Sequence, residues 1–423
     1  MRGMSGDSSR VQQRNARTIE LRGHILDSGI FSRVLSMLTD HETSFYTIEQ
    51  FDVGATIDDP SYARILIEDE DADELRGLLD SLRDIGAAVV ADHDATLEPA
   101  PSDGILPDLF YATTNLETEV KVAGAWISVD VAEMDCAVGV DTAGRARTIP
   151  PSDVRRGEMI VVGHDGVRVR PQERARKKAV FEFMSSTVSS EKPRASLIAE
   201  VARELIETLR AGKRVLVVGG PAIVHTGAGH FLAEMIRDGL VTALFAGNAL
   251  AVHDMESQFF GTSLGVNLLD AFPAEEGHVH HLRTVNRLRA AGGIQPAIES
   301  GLLRAGIMYE AYRAKIPVVL AGSIRDDGPI PDVITDVVEA QRAMRAHVPE
   351  VGMALMICTL LHSIAVGNML PASCKTICVD INPASVTKLT DRGTHQSIGV
   401  VMDAASFLRE LSGAARALQA PTG

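Results

Sequence analysis

The residues best suited to chemistry stand where short apolar runs stop. Val318–Leu320 leads into Ala321-Gly322-Ser323-Ile324-Arg325-Asp326-Asp327-Gly328-Pro329, Ile377–Val379 into Asp380-Ile381-Asn382-Pro383, and Ile398–Met402 into Asp403-Ala404. Val241–Phe245 leads likewise into Ala246-Gly247-Asn248-Ala249. Each run has strand length and ends at an acidic or amide residue, as nucleotide-binding α/β sheets do at the carboxyl ends of their strands. An Asn or Asp there can accept from ribose hydroxyls, and a small neighbour leaves room for a ring. Any one of these residues could equally cap the helix that follows. Their recurrence at Asn248-Ala249, Asp380 and Asp403-Ala404 points to a nucleotide crevice.

A glycine loop accompanies them. Arg214–Val218 runs into Gly219-Gly220-Pro221-Ala222-Ile223-Val224-His225-Thr226-Gly227-Ala228-Gly229, which is not the Gly-x-Gly-x-x-Gly spacing. Glycine here still suits a pyrophosphate, which needs close backbone approach and amides at a helix start.

The elements that must position these groups alternate along the chain. Residues 18–98 read β-α-β-β-α-β, a ferredoxin-like α+β unit. Its first helix carries Ile30, Phe31, Val34, Leu35 and Leu38 on one face, with Asp27 or Ser28 able to cap, and its second carries Leu75, Leu78, Leu79, Leu82 and Ile85. Its middle strands are expected near Ser44–Phe51 and Tyr62–Glu68. Pro99, Pro101 and Pro107 then mark a linker into a small β domain over 99–188, with strands expected in Lys121–Val131, Ala137–Val140 and Met159–Arg170. Phe110–Asn115 reads as a packed loop or a contributor to a site, and Arg174–Lys178 as a solvated basic connector. The helix-start cluster Ser189–Pro193 opens a domain over 189–415, where strand and helix alternate as in a Rossmann-like parallel sheet covered on both faces. Residues 1–17 and 416–423 are expected as tails.

Composition excludes several classes. A chain of 423 residues implies two or three domains, and 45% hydrophobic with 23% charged residues is ordinary globular chemistry. A net charge of −15 argues against nucleic-acid binding, which needs clustered Lys and Arg. No apolar run approaches the roughly 18 residues of a membrane span, and none follows the polar amino terminus to make a secretory signal, so a cytoplasmic protein is expected. Cys136, Cys358, Cys374 and Cys378 are too sparse for a disulfide framework or a zinc site and read as reduced structural thiols. His278, His280 and His281 read as a polar loop rather than a metal site.

Several long motifs in order resemble a known family: Ser189–Pro193, Gly219-Gly220-Pro221, Ala246-Gly247-Asn248-Ala249, Leu320–Pro329, Val366-Gly367-Asn368-Met369-Leu370-Pro371, and Glu133-Met134-Asp135-Cys136. They look like the NAD-dependent ornithine cyclodeaminases of archaeal type and the carboxyl-terminal half of cyanobacterial bifunctional arginine dihydrolase/ornithine cyclodeaminases. The family is also labelled as lysine-ketoglutarate reductase/saccharopine dehydrogenase (LOR/SDH). The resemblance covers residues 18–415. It implies a deoxyhypusine-synthase-like NAD fold and an internal redox cycle that turns L-ornithine into L-proline and ammonia. By the family's pattern Asn248, Ala249, Asp327, Thr359, Leu360, Leu361, His362, Asp380, Asp403 and Ala404 contact NAD. The few residues before the first domain imply that the dihydrolase half is absent and that arginine is not a substrate.

That chemistry needs a proton acceptor, for which His225, His253, Asp254 and Lys388 are candidates. It needs a cation for the α-carboxylate, from Arg325, Lys388 or Arg392, and a carboxylate for the δ-ammonium, from Asp254 or Asp326. No metal is called for, and a homo-oligomer is expected. The alternatives are a related NAD-dependent amino-acid dehydrogenase, a cyclodeaminase with another substrate, and a nucleotide-sensing regulatory protein.

Overall fold

The computed structural model describes residues 15–26, 29–41, 45–54, 59–90, 93–170, 194–268, 272–326, 328–392 and 397–419. The chain divides into two compact units, Met1–Ala179 and Val180–Gly423. Among the described residues no helix is long and apolar enough to cross a membrane.

The first unit begins with β1 (Asn15–Gly23), α1 (Ile30–Asp40), β2 (Phe45–Asp52), β3 (Ser61–Asp69), α2 (Ala72–Asp84) and β4 (Ala88–Val89). The four strands form an antiparallel sheet in the order β2-β3-β1-β4, the ferredoxin-like arrangement. Alternation along β3 turns Ala63, Ile65 and Ile67 inward. They meet Ile19 and Leu21 of β1, Val34 and Leu38 of α1, and Leu75, Leu79 and Leu82 of α2. The helix α2 starts where it does because the Asp71 carboxylate accepts from the Asp73 and Glu74 N–H groups.

A second sheet follows, built from β5 (Thr96–Pro99), β6 (Thr118–Val122), β7 (Ala125–Asp130), β8 (Ala137–Val140), β9 (Ala146–Ile149), β10 (Met159–Val162) and β11 (Val167–Val169). Its order is β11-β6-β7-β9-β8-β10-β5, around a core of Tyr111, Val120, Val138, Val140 and Val161. The aromatic stretch at 110–115 is a packed loop. Tyr111 is buried, and the Thr113 hydroxyl donates to the Glu133 carbonyl at 2.5 Å while accepting from the Cys136 N–H at 3.1 Å.

The second unit opens with α3 (Arg194–Arg210), β12 (Arg214–Gly219), α4 (Ala222–His225), α5 (Gly229–Arg237), β13 (Ala243–Gly247) and α6 (Asn248–Phe260). The hairpin β14 (Thr262–Ser263) and β15 (Val266–Asn267) comes next, then α7 (His280–Ala291), α8 (Ile294–Glu299) and α9 (Ile307–Arg313). The chain continues through β16 (Val318–Ala321), α10 (Val337–Arg345), β17 (Val351–Ile357), α11 (Leu361–Met369), β18 (Lys375–Asp380), α12 (Pro383–Arg392), β19 (Ser397–Val401) and α13 (Ala404–Gln419). Every pairing in its main sheet is parallel, in the order β16-β13-β12-β17-β18-β19. Numbered along the chain, that is 3-2-1-4-5-6, the Rossmann order. Strand side chains alternate between two cores: Val215 and Val217 pack on one face with Leu205, Phe407 and Leu411, and Leu216 and Val218 on the other with Met344 and Met369.

Candidate active site

In this strand order the connections leaving β12 and β17 go to opposite faces, which opens a crevice between their carboxyl ends. The loop Gly219-Gly220-Pro221 forms one side and Cys358-Thr359 the other. The Gly220 N–H donates to the Ile357 carbonyl at 2.9 Å. A Cβ on Gly220 would lie 1.9 Å from the Cys358 carbonyl oxygen, so only glycine fits. The close approach that Gly220 permits is thus between two protein backbones. Cys358 turns the chain at φ 54, a left-handed conformation uncommon for a residue with a side chain, and its N–H donates to the Val379 carbonyl at 2.9 Å.

The helices at this edge begin in two ways. No side chain caps α6, whose N-cap is Gly247, or α11, whose N-cap is Leu360. By contrast Asp336 caps α10, the Asn382 side chain accepts from the Ala384 N–H at 3.0 Å, and Asp403 Oδ1 accepts from the Ser406 N–H at 2.9 Å. The uncapped starts therefore present first-turn N–H groups, backed by the helix dipole, to an anion. Beside them lies a cavity of about 390 Å³ between the ends of β13 and β16 and the helices α10 and α11. Gly247, Gly322, Ser323, Gln341, Thr359, Leu361 and His362 line it, with Ala340, Met344, Ala365 and Met369 as apolar wall.

The expected nucleotide contacts fall into two groups along this edge. Thr359, Leu361 and His362 stand at the cavity, and the half-buried Leu360 precedes them. Burial lowers the pKa of His362. Asn248 is buried at the start of α6, where its Oδ1 accepts from the Ile330 N–H at 3.1 Å, with Ala249 half-buried beside it. Asp380 and Asp403 lie at the ends of β18 and β19, and Ala404 opens α13. Asp380 Oδ1 accepts from the Asn382 N–H at 2.8 Å. Burial, and then the charges of Asp380 and Asp403, push the Cys358 thiol up to about 12, so it stays protonated and is no nucleophile. Asp327 lies outside the described residues.

The catalytic candidates are more scattered. Arg325 and Lys388 are exposed, on the loop after β16 and on α12, and the side chain of Arg392 lies outside the described residues. Asp326 accepts from the Ser323 N–H at 2.9 Å and its hydroxyl at 3.2 Å, which closes that loop on itself. Asp254 is 2% exposed and accepts from the Ile307 and Met308 N–H groups at 2.9 and 2.8 Å, so it caps α9 from a distance in sequence. Burial pushes its carboxyl up to about 6 against those two bonds.

His225 and His253 come together. Their ring centroids are 4.7 Å apart in an edge-on arrangement. Nδ1 of His225 lies 2.7 Å from Ser263 Oγ, and Nδ1 of His253 lies 2.7 Å from Glu256 Oε2. Glu256 also accepts from the Thr262 hydroxyl at 2.9 Å and from the Gly265 and Leu264 N–H groups at 3.0 and 3.2 Å. The i,i+3 spacing of His253 and Glu256 could have flagged that pair. Nothing in the sequence marks Ser263. The histidines at 278–281 are helical rather than a polar loop: His280 opens α7, is buried, stacks on Phe260 at 4.4 Å and meets Thr262 Oγ1 at 2.9 Å.

Family models match the whole of this architecture. The arginine dihydrolase ArgZ-like, C-terminal, Rossmann-fold model matches residues 199–411, and the ArgZ-like C-terminal first region matches 117–198. The LOR/SDH bifunctional enzyme conserved region matches 16–116. A protein of Methanothermobacter thermautotrophicus named ornithine cyclodeaminase is 50% identical over 396 residues, 93% of this chain and 96% of the relative. The ornithine cyclodeaminase of Methanopyrus kandleri is 53% identical over 395 residues, 93% and 95% of the two chains. Among solved structures, the ternary complex of AgrE with ornithine and NAD+ superposes with a TM-score of 0.53 at 40% identity, over 96% of this chain and 58% of that one.

Proposed function

Because the chain belongs to the ornithine cyclodeaminase family with an ArgZ-like Rossmann domain, we propose that it converts L-ornithine to L-proline and ammonia with NAD bound at the strand-end crevice, a lyase reaction without net oxidation. The observation that carries the reading is the near full-length identity to proteins so named, joined to an uncapped, cavity-lined switch point in a sheet of order 3-2-1-4-5-6. When bound, NAD supplies a hydride acceptor for the substrate's α-carbon and returns the hydride before product leaves.

The chain's own residues fit the dinucleotide. Strand β17, the turn at Cys358-Thr359, helix α11 and strand β18 place Asp380 about 20 residues past the turn, the order of a mononucleotide-binding unit. The α11 start then takes the pyrophosphate. Asp380, one of whose oxygens is uncommitted among the described residues, accepts from a ribose hydroxyl. Asn248, Ala249, Asp327, Thr359, Leu360, Leu361, His362, Asp403 and Ala404 complete the NAD contacts. Arg325 or Lys388 holds the substrate α-carboxylate. Asp254 works as a positioning residue, fixing the start of α9 through two backbone bonds.

Purified protein given ornithine and NAD is expected to release proline and ammonia in equal amounts while NADH absorbance stays flat. Accumulating NADH would make it a net dehydrogenase. NAD binding without turnover of ornithine would make it a nucleotide sensor.

A further inference from the structure

We propose that His225 and His253 are the proton-accepting pair of this site and that Glu256 is the residue that positions them. The proposal rests on the cyclodeaminase reading above. Ornithine enters with two ammonium groups. The α-ammonium must lose a proton before a hydride can leave its carbon, and the δ-ammonium must lose one before its nitrogen can attack that carbon. Both protons go back, one to the departing ammonia, which leaves as ammonium, and one to the ring nitrogen of proline. The acceptor therefore ends each cycle as it began, and the chemistry asks for two exchangeable sites near the crevice.

The described candidates narrow to the imidazoles. Asp254 spends both oxygens on backbone N–H groups, and Lys388 is exposed on α12. His225 ends the short helix that follows Gly219-Gly220-Pro221, and His253 lies on α6 about 7–8 Å along the axis from Asn248. The two rings thus come from the elements that follow β12 and β13, neighbouring strands of the sheet.

The tautomer of His253 is held from behind. Glu256 is kept ionised: burial opposes its charge, but His253, the Gly265 N–H and the Thr262 hydroxyl outweigh it and hold its carboxyl below the usual range. An ionised Glu256 receives Nδ1–H of His253, which leaves the lone pair on Nε2. Nδ1 of His225 is engaged by Ser263. Neither Nε2 has a hydrogen-bond partner among the described residues. The groups around the pair are Glu256 on α6, Thr262 and Ser263 on the hairpin, and His280 and His281 on α7, the His281 ring 6.4 Å from His253. Burial, and then the neighbouring His253, lower His225 to about 4, so it stands unprotonated at neutral pH but is a weaker base than an ordinary imidazole. Glu256 anchors the hairpin through Thr262, Leu264 and Gly265, and His225 reaches it only through Ser263.

The test uses the full chain. His225→Asn and His253→Asn are each expected to slow proline formation at least about 100-fold, the range of general-base loss, with NAD and ornithine binding within about threefold of wild type by calorimetry. Glu256→Gln is expected to move the acid limb of kcat to lower pH. Glu256→Asp, which keeps the charge but not the reach, serves if the Gln variant does not fold, and should shift that limb the same way by less. Proline formation within about fivefold of wild type in either histidine variant would overturn the proposal, as would a Glu256 variant that leaves the pH limb unchanged. A wild-type protein that forms no proline would instead overturn the cyclodeaminase reading itself.

Discussion

Asp380 and Asp254 are both aspartates at the edge of the same fold, and their surroundings give them opposite tasks. Asp380 accepts one backbone bond, and its other oxygen is uncommitted among the described residues. Asp380→Ala should therefore cost NAD affinity roughly 10-fold or more, the loss of a hydrogen bond to a charged group of about 1.5–3 kcal/mol, while thermal stability without NAD stays near wild type. Titration calorimetry and a melting curve separate the two. Asp254 is buried and its carboxyl rises from 3.8 to about 6. The folded chain thus holds this proton more tightly than the unfolded chain does. Its stabilising contribution is complete below the unfolded value of 3.8 and is lost as pH rises through about 6. Asp254→Asn carries no such charge. Urea unfolding at about pH 4 and about pH 7 should show the stability of wild type relative to the variant falling as pH rises, by on the order of 2–3 kcal/mol. A difference that does not change with pH would mean that the carboxylate is not the buried, desolvated group described.

At the scale of elements, helix starts carry the distinction between structure and binding. Gly247 has φ −100 and ψ 171, the extended geometry of an N-cap, and an added Cβ would meet only the Ala321 carbonyl at 3.6 Å. An aspartate fits there and would cap α6, yet its charge would occupy the mouth of the cavity that Gly247 lines. Gly247→Asp should raise stability without NAD by no more than a few tenths of a kcal/mol and weaken NAD at least about tenfold, whereas Gly247→Ser should do little to either. Equal NAD affinity in all three proteins would remove Gly247 from the path of the phosphates. The strands themselves were legible in sequence because each buried run stops at glycine or an acid: Val215–Val218, Ala243–Ala246 and Ile377–Val379 are apolar on both faces. Their lateral order was not, since adjacency in a parallel sheet is set by long-range packing and leaves no local mark. The same holds for the site. Asn248, Asp380 and Asp403 could be picked out as strand-end residues, but the partnership of His225 with Ser263 and of Glu256 with the hairpin joins segments whose proximity only the folded chain creates.

At the scale of the whole molecule, the charge of −15 acts on two ligands of opposite sign. Ornithine is a net cation at neutral pH and NAD a net anion. The field of an acidic protein draws the first in and repels the second, so in the proposed site short-range groups, the uncapped starts of α6 and α11, have to outweigh the repulsion locally. Added salt screens the long-range part, over a Debye length of about 10 Å at 0.1 M, and leaves contacts inside the crevice almost untouched. Raising ionic strength should therefore move the two ligands in opposite directions, weakening ornithine by a few-fold through slower capture while NAD binds equally well or more tightly. The KM for ornithine and the calorimetric Kd for NAD across a salt series read this directly. If both weakened together, NAD would be held by exposed cations rather than by helix starts, and Arg325 and Lys388 would become the side chains to remove next.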